Sequence, residues 1–210
     1  MYFLNRNKDL FFILLLCTSF VGLSVYSSTV KHDNPVLVQG VRFDSLDNDW
    51  LQAEIKLRAR ANTTPGSRTL NYVDSVRLKI TLSYKVPSAP GGYDFYQATV
   101  EMPSLKRGEL YRVYFYLPGV IVQRDRLSRE PHAYIVELDV GGRKLPLRKE
   151  NLKPSFFKEA SFVTRYLNRA RLQAPMNEGI LLPQYHAPPD LTENLGNSPA
   201  FARKHRSLNP

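Results

Sequence analysis

Apolar and polar residues alternate one for one over long runs of this chain, and no other feature constrains its fold so tightly. In WLQAEIKLRARAN, Leu51, Ala53, Ile55, Leu57, Ala59 and Ala61 alternate with Gln52, Glu54, Lys56, Arg58 and Arg60. In a second run, Val76, Leu78, Ile80, Leu82, Tyr84 and Val86 alternate with Arg77, Lys79, Thr81, Ser83 and Lys85. Successive side chains of an extended strand point to opposite faces, so each run is a strand with one oily and one wetted face. PSAPGG, residues 87–92, is a turn cluster that stops the second.

Further strands are expected at short intervals. Residues 36–43 precede the two long strands, and residues 93–102 follow them and close at Pro103 and the LKRGE turn. Residues 110–117 come next, break at Pro118-Gly119 and are expected to resume as Val120-Ile121-Val122. AYIVELDV then passes through Gly141-Gly142, a hairpin signal, into residues 143–147. Crossover helices, which a parallel sheet needs, are missing between these runs. The expected fold is therefore mainly β: an immunoglobulin-like antiparallel β-sandwich of seven to eight strands over residues 34–153. One helix is expected over 154–174, capped by Ser155, with Phe156, Ala160, Val163, Leu167 and Ala170 forming its apolar stripe. Residues 175–210 hold six prolines among Asn, Gly and Ser and are expected to form an extended tail. A short docking segment at Ile180-Leu181-Leu182 and Tyr185 is the alternative for part of it.

Residues 1–27 stand apart. Arg6 and Lys8 precede a sixteen-residue apolar run, 10–25, and then Tyr26-Ser27-Ser28, the order of a secretory signal. A membrane-spanning helix needs roughly 20 mostly apolar residues. We expect cleavage near Ser27 and export to the periplasm, outer membrane or exterior, with an uncleaved anchor as the alternative. Cys17 lies within this run, so a cleaved chain holds no disulfide. The net charge of +10 attracts anions generally: lipid headgroups, acidic glycans, nucleic acid. Export argues against nucleic acid, and along the sequence the charge is spread rather than gathered.

Catalytic, cofactor and metal signatures are lacking. His32, His132, His186 and His205 are scattered, and no pair has metal-site spacing. Asp44, Asp47 and Asp49 lack the glycine and distal glutamate of a calcium loop and read as a polar turn. Arg124, Arg126 and Arg129 in QRDRLSRE offer forked donors for a carboxylate or phosphate, or pairs for Asp125 and Glu130 on a loop rim. Aromatic residues give the best functional hint. Leu110, Arg112, Tyr114 and Tyr116 share one face of their strand, too oily to stand in water, and the helix is the expected cover. If uncovered, Tyr114 and Tyr116 form a partner surface or a stacking platform for sugars.

YDFYQATVEM, RVYFYLPGVIVQRDRL and AYIVELDVGGRKLPL together resemble a group of immunoglobulin-like exported proteins from Verrucomicrobia and relatives, some associated with pilus-like or outer-membrane assemblies. The resemblance covers residues 36–172. It implies an adhesive or scaffolding sandwich and supplies no catalytic residues. The expected function is thus a non-enzymatic interaction or assembly module of the cell envelope, recognising an envelope or pilus-like protein through sheet edges or through Tyr114, Tyr116, Arg124, Arg126 and Arg129. A carbohydrate-binding module is the alternative, and a hydrolase assembled from separate strands a distant third.

Overall fold

A computed structural model describes residues 34–202 except 63–66, 68, 154–159 and 194. By backbone contacts the chain divides into Met1–Lys31 and His32–Pro210, and every described residue belongs to the second unit. The signal or anchor segment, and Pro154, Ser155 and Phe156 of the expected helix, lie outside the described residues.

Among the described residues, eight strands form two antiparallel sheets. The first has the order β1 (Val36–Ser45), β2 (Leu51–Ala59), β5 (Leu110–Leu117) and β8 (Leu182–Pro183). The second runs β4 (Tyr93–Lys106), β3 (Tyr72–Lys85), β6 (Ala133–Val140) and β7 (Arg143–Lys144). Matching β1, β2, β3, β4, β5, β6 and β7 to the immunoglobulin strands A, B, C, C′, E, F and G reproduces the A-B-E and C′-C-F-G sheets. β8 lies beside E, where many such domains place strand D.

The alternating residues do what their spacing demands. Ile55, Leu57, Leu78, Ile80, Val113, Phe115 and Val136 are all fully buried between the sheets. β1 keeps its oily side inward by a bulge: its register on β2 shifts between Val38 and Gly40, so Val36 and Val38 before the shift and Val41 and Phe43 after it all meet the core.

Residues 120–122 are helical, a correction to the strand expected there. α1 (Gly119–Asp125) starts at extended Pro118, and Val122 and Leu127 fold back into the core. Gly119 permits the turn, because a Cβ there would overlap the Asn48 carbonyl. A strand would carry the chain away from this close approach.

α2 (Ala160–Gln173) covers the second sheet, not the tyrosine face of β5. Tyr166 and Ala170 pack on Phe95, Ala133 and Ile135, which point outward from that sheet, and on Leu152. The Tyr166 hydroxyl lies 3.3 Å from the carbonyl oxygens of both Thr81 and Ala133. This explains why Thr81 and Ser83, polar positions in the alternation, are nevertheless buried.

Of residues 175–210, expected as an extended tail, 175–202 except 194 are described and are docked on the sandwich, while 203–210 lie outside the described residues. A 3-10 turn, Ala174–Asn177, leads to Leu181, which is 2% exposed and enters the core where the β4 and β5 sides of the two sheets face each other. From β8 the chain crosses the outer face of the first sheet and returns to β4, where the Ala202 amide donates to the Glu101 carbonyl at 2.8 Å. Prolines do not loosen this segment, because side chains supply the bonds that a strand backbone would make.

Candidate functional site

The tyrosine face of β5 has a cover, and it is this C-terminal strap. Tyr114 is 5% exposed and Tyr116 is fully buried. Gln184 accepts the Tyr114 amide through Oε1 at 3.0 Å, and the Arg112 amide donates to the Asn197 carbonyl at 2.8 Å. Asn197 Nδ2 donates to the Leu110 carbonyl, and Ser198 Oγ to that of Arg112. Thus three polar side chains of an irregular segment satisfy the β5 edge as a paired strand would. The Tyr116 hydroxyl takes a bond from Gln52 and gives one to the Leu191 carbonyl, while the Gly196 amide donates to the Tyr114 hydroxyl. Burial raises the pKa of Tyr116. With the strap docked, neither tyrosine presents a ring to a sugar or a partner; the face is covered as expected, but by the strap and not by the helix.

Two of the three arginines of QRDRLSRE, Arg124 and Arg129, stand beside the acids Asp125 and Glu130. Arg124 grips the next residue: its Nε and Nη2 lie 2.8 and 2.7 Å from the two Asp125 oxygens. The guanidinium holds the Asp125 carboxyl below its usual range, aided by a bond from the Tyr96 hydroxyl. Arg126 is the left-handed cap of α1, and Arg129 stands 3.9 Å from Glu130 with its side chain exposed. These arginines hold loop geometry; the structure does not bring them round one ligand-sized space with Tyr114 and Tyr116.

A polar groove of about 550 Å³ lies between β1, β2 and the strap. Glu54 lines it with its side chain only 7% exposed, 3.2 Å from Arg112 Nε and 3.8 Å from Arg42 Nε. A carboxylate so buried is stable only with such partners, and two cations on neighbouring strands provide them. The cluster thereby cross-links β1, β2 and β5 on their outer face. Among the described residues no group of histidine, cysteine, aspartate and glutamate side chains is placed to hold a metal ion.

The sheet edges differ sharply. The β5 edge is closed by the strap, and β4 receives Asn177 at the Phe95 carbonyl and Ala202 at the Glu101 carbonyl. β7 is two residues long. β1, ten residues long, pairs with β2 alone, and among the described residues no backbone bond reaches its outer edge. At the bulge, the space around Gly40 is open.

No protein-family model matches this chain, and comparison with curated proteins finds no match. Among solved structures, a crystal structure from Akkermansia muciniphila, a member of the Verrucomicrobia, is similar with a TM-score of 0.52. The two share 16% sequence identity over 81% of this chain and 93% of that one. At that identity the likeness establishes the sandwich fold and nothing finer. Among the described residues no helix is long and apolar enough to cross a membrane.

Proposed function

We propose that the chain is an exported, non-enzymatic interaction module of the bacterial cell envelope, and that β1 recruits a partner by adding a strand of that partner to the first sheet. The observation that carries this reading is the contrast between edges. The chain commits some twenty residues to closing β5, yet among the described residues no backbone hydrogen bond reaches the outer edge of β1, which is open round Gln39 and Gly40 although Val36, Leu37 and Val38 are buried and Lys149–Asn151 packs beside the strand. Unpaired backbone groups along a strand are a template for another strand, and alternate side chains then set specificity. Export rests on the charged start and apolar run of residues 1–27, and the envelope setting on the resemblance to pilus-associated and outer-membrane-associated sandwiches.

The bulge makes a clean test, because Gln39 has no Cα partner on β2. A photo-crosslinking side chain at Gln39, and a control at exposed Thr99 on the second sheet, are introduced into the full chain in its native host. We expect a discrete envelope-protein adduct from position 39 alone, removed by a proline at Gly40. Adducts equal at both positions, or none from position 39, would reject strand addition at β1.

A further inference from the structure

Basic residues that are spread along the sequence are gathered by the fold at one end of the sandwich. Arg58 and Arg60 stand where β2 ends, Lys106 and Arg107 where β4 turns into β5, and Arg143 and Lys144 at the β6–β7 turn. Backbone bonds knit the first two of these corners together: the Gly108 amide donates to the Ala59 carbonyl at 2.9 Å, and the Arg107 amide to that of Asn71 at 2.8 Å. All six basic residues are exposed. Nearby acids are fewer: Asp74, Asp139 and Glu109, of which Glu109 pairs with Lys106. The opposite end is different in kind, since Asp47, Asp49, Asp125 and Glu130 there meet Arg124, Arg126 and Arg129 in near balance.

Two further observations concern the same end. Leu70 and Tyr72 are 58% and 44% exposed, and they flank the Asn71 whose carbonyl accepts the Arg107 amide. The chain also enters the domain here, where the Arg60 amide donates to the Pro35 carbonyl at 2.7 Å.

We infer that this basic end docks on an anionic phospholipid surface, with Leu70 and Tyr72 entering the headgroup layer. Cationic side chains round exposed apolar ones match such a surface, whose negative charge attracts Lys and Arg and whose boundary accepts a tyrosine and a leucine. The inference goes beyond strand addition and does not depend on it. β1 lies along the side of the sandwich, so its failure and the failure of the strand-adding edge are told apart by separate measurements.

The test is flotation of the full chain with vesicles of phosphatidylglycerol and phosphatidylcholine, and with vesicles of phosphatidylcholine alone. The apolar run contributes to both, so the ratio between them reports the charged end. Each cation near an anionic surface strengthens partitioning about fivefold, so the combined variant Arg107→Gln, Arg143→Gln and Lys144→Gln should reduce the ratio about a hundredfold. Raised salt should do the same to the unaltered chain. Circular dichroism and Tm confirm that the variant is folded, and should it unfold, the salt series on the unaltered chain decides. Equal partition into the two vesicle types would overturn the inference, as would a preference that survives the variant and salt. Retention on a soluble acidic polysaccharide that is lost in the variant while the vesicle ratio is unchanged would overturn it in favour of a glycan.

Discussion

Single residues decide where this chain departs from a simple alternation. Gly119 admits the approach of Asn48 that turns an expected strand into α1, and Glu54 holds two arginines because a buried carboxylate must. His132 is the residue with a consequence for pH. It packs against Tyr93 at 4.9 Å between ring centroids, and burial, with Lys85 and Lys153 nearby, lowers its pKa below 6.5. The folded state therefore resists protonation more than the unfolded state does. Stability from this source is fully present above pH 6.5 and is lost as pH falls through the lowered value. Denaturant midpoints measured from pH 7.5 to 5.5 should fall for the unaltered chain and fall less for His132→Gln. Parallel slopes for the two would show that His132 does not carry the effect.

At the scale of elements, the strands were legible because a sheet with one face in the core prints a period of two directly on the sequence. AYIVELDV gave β6 at its observed bounds, Ala133–Val140. What was illegible was covering. Tyr114 and Tyr116 announce a face that needs a lid, but α2 and the strap are both amphipathic enough to serve, and only tertiary packing assigns α2 to Phe95 and Ile135. The strap hid for a second reason. Its bonds come from Gln184, Asn197 and Ser198, residue types equally at home in a solvated tail, so nothing in their composition marks them as capping a strand. The candidate site suffered accordingly, because Tyr114 and Tyr116 lie beneath a segment read as free. Ending the chain at Pro183 keeps β8 and Leu181 but removes this lid. Three hydrogen bonds at about 1 kcal/mol each give an expected loss of about 3 kcal/mol, with more from uncovering the rings. Thermal unfolding should shift down, and a dye that reports exposed apolar surface should bind the shortened chain. A shortened chain with unchanged Tm and no dye binding would mean that the strap is not the cover of this face.

For the molecule as a whole, the strap is the last described segment and leans on what must already exist. Gln184 reaches Tyr114 across seventy residues and Asn197 reaches Leu110 across eighty-seven, and β2–β5 and β3–β6 pair strands that are far apart in sequence. A sandwich held by such distant pairings folds in milliseconds to seconds, after the entropy of closing long loops has been overcome. Leu181 has no pocket until β3 and β5 stand opposite each other, because Leu82 of β3 and Phe115 and Leu117 of β5 border its space from both sheets. Its contacts therefore form after the rate-limiting step. Leu181→Ala should cost roughly 2–4 kcal/mol, the usual range for removing a buried leucine side chain. Nearly all of that should appear as faster unfolding, with refolding almost unchanged. Stopped-flow refolding and unfolding across a denaturant series separates the two limbs. Slowed refolding with an unaltered unfolding limb would place the strap inside the folding nucleus and reverse this order of assembly.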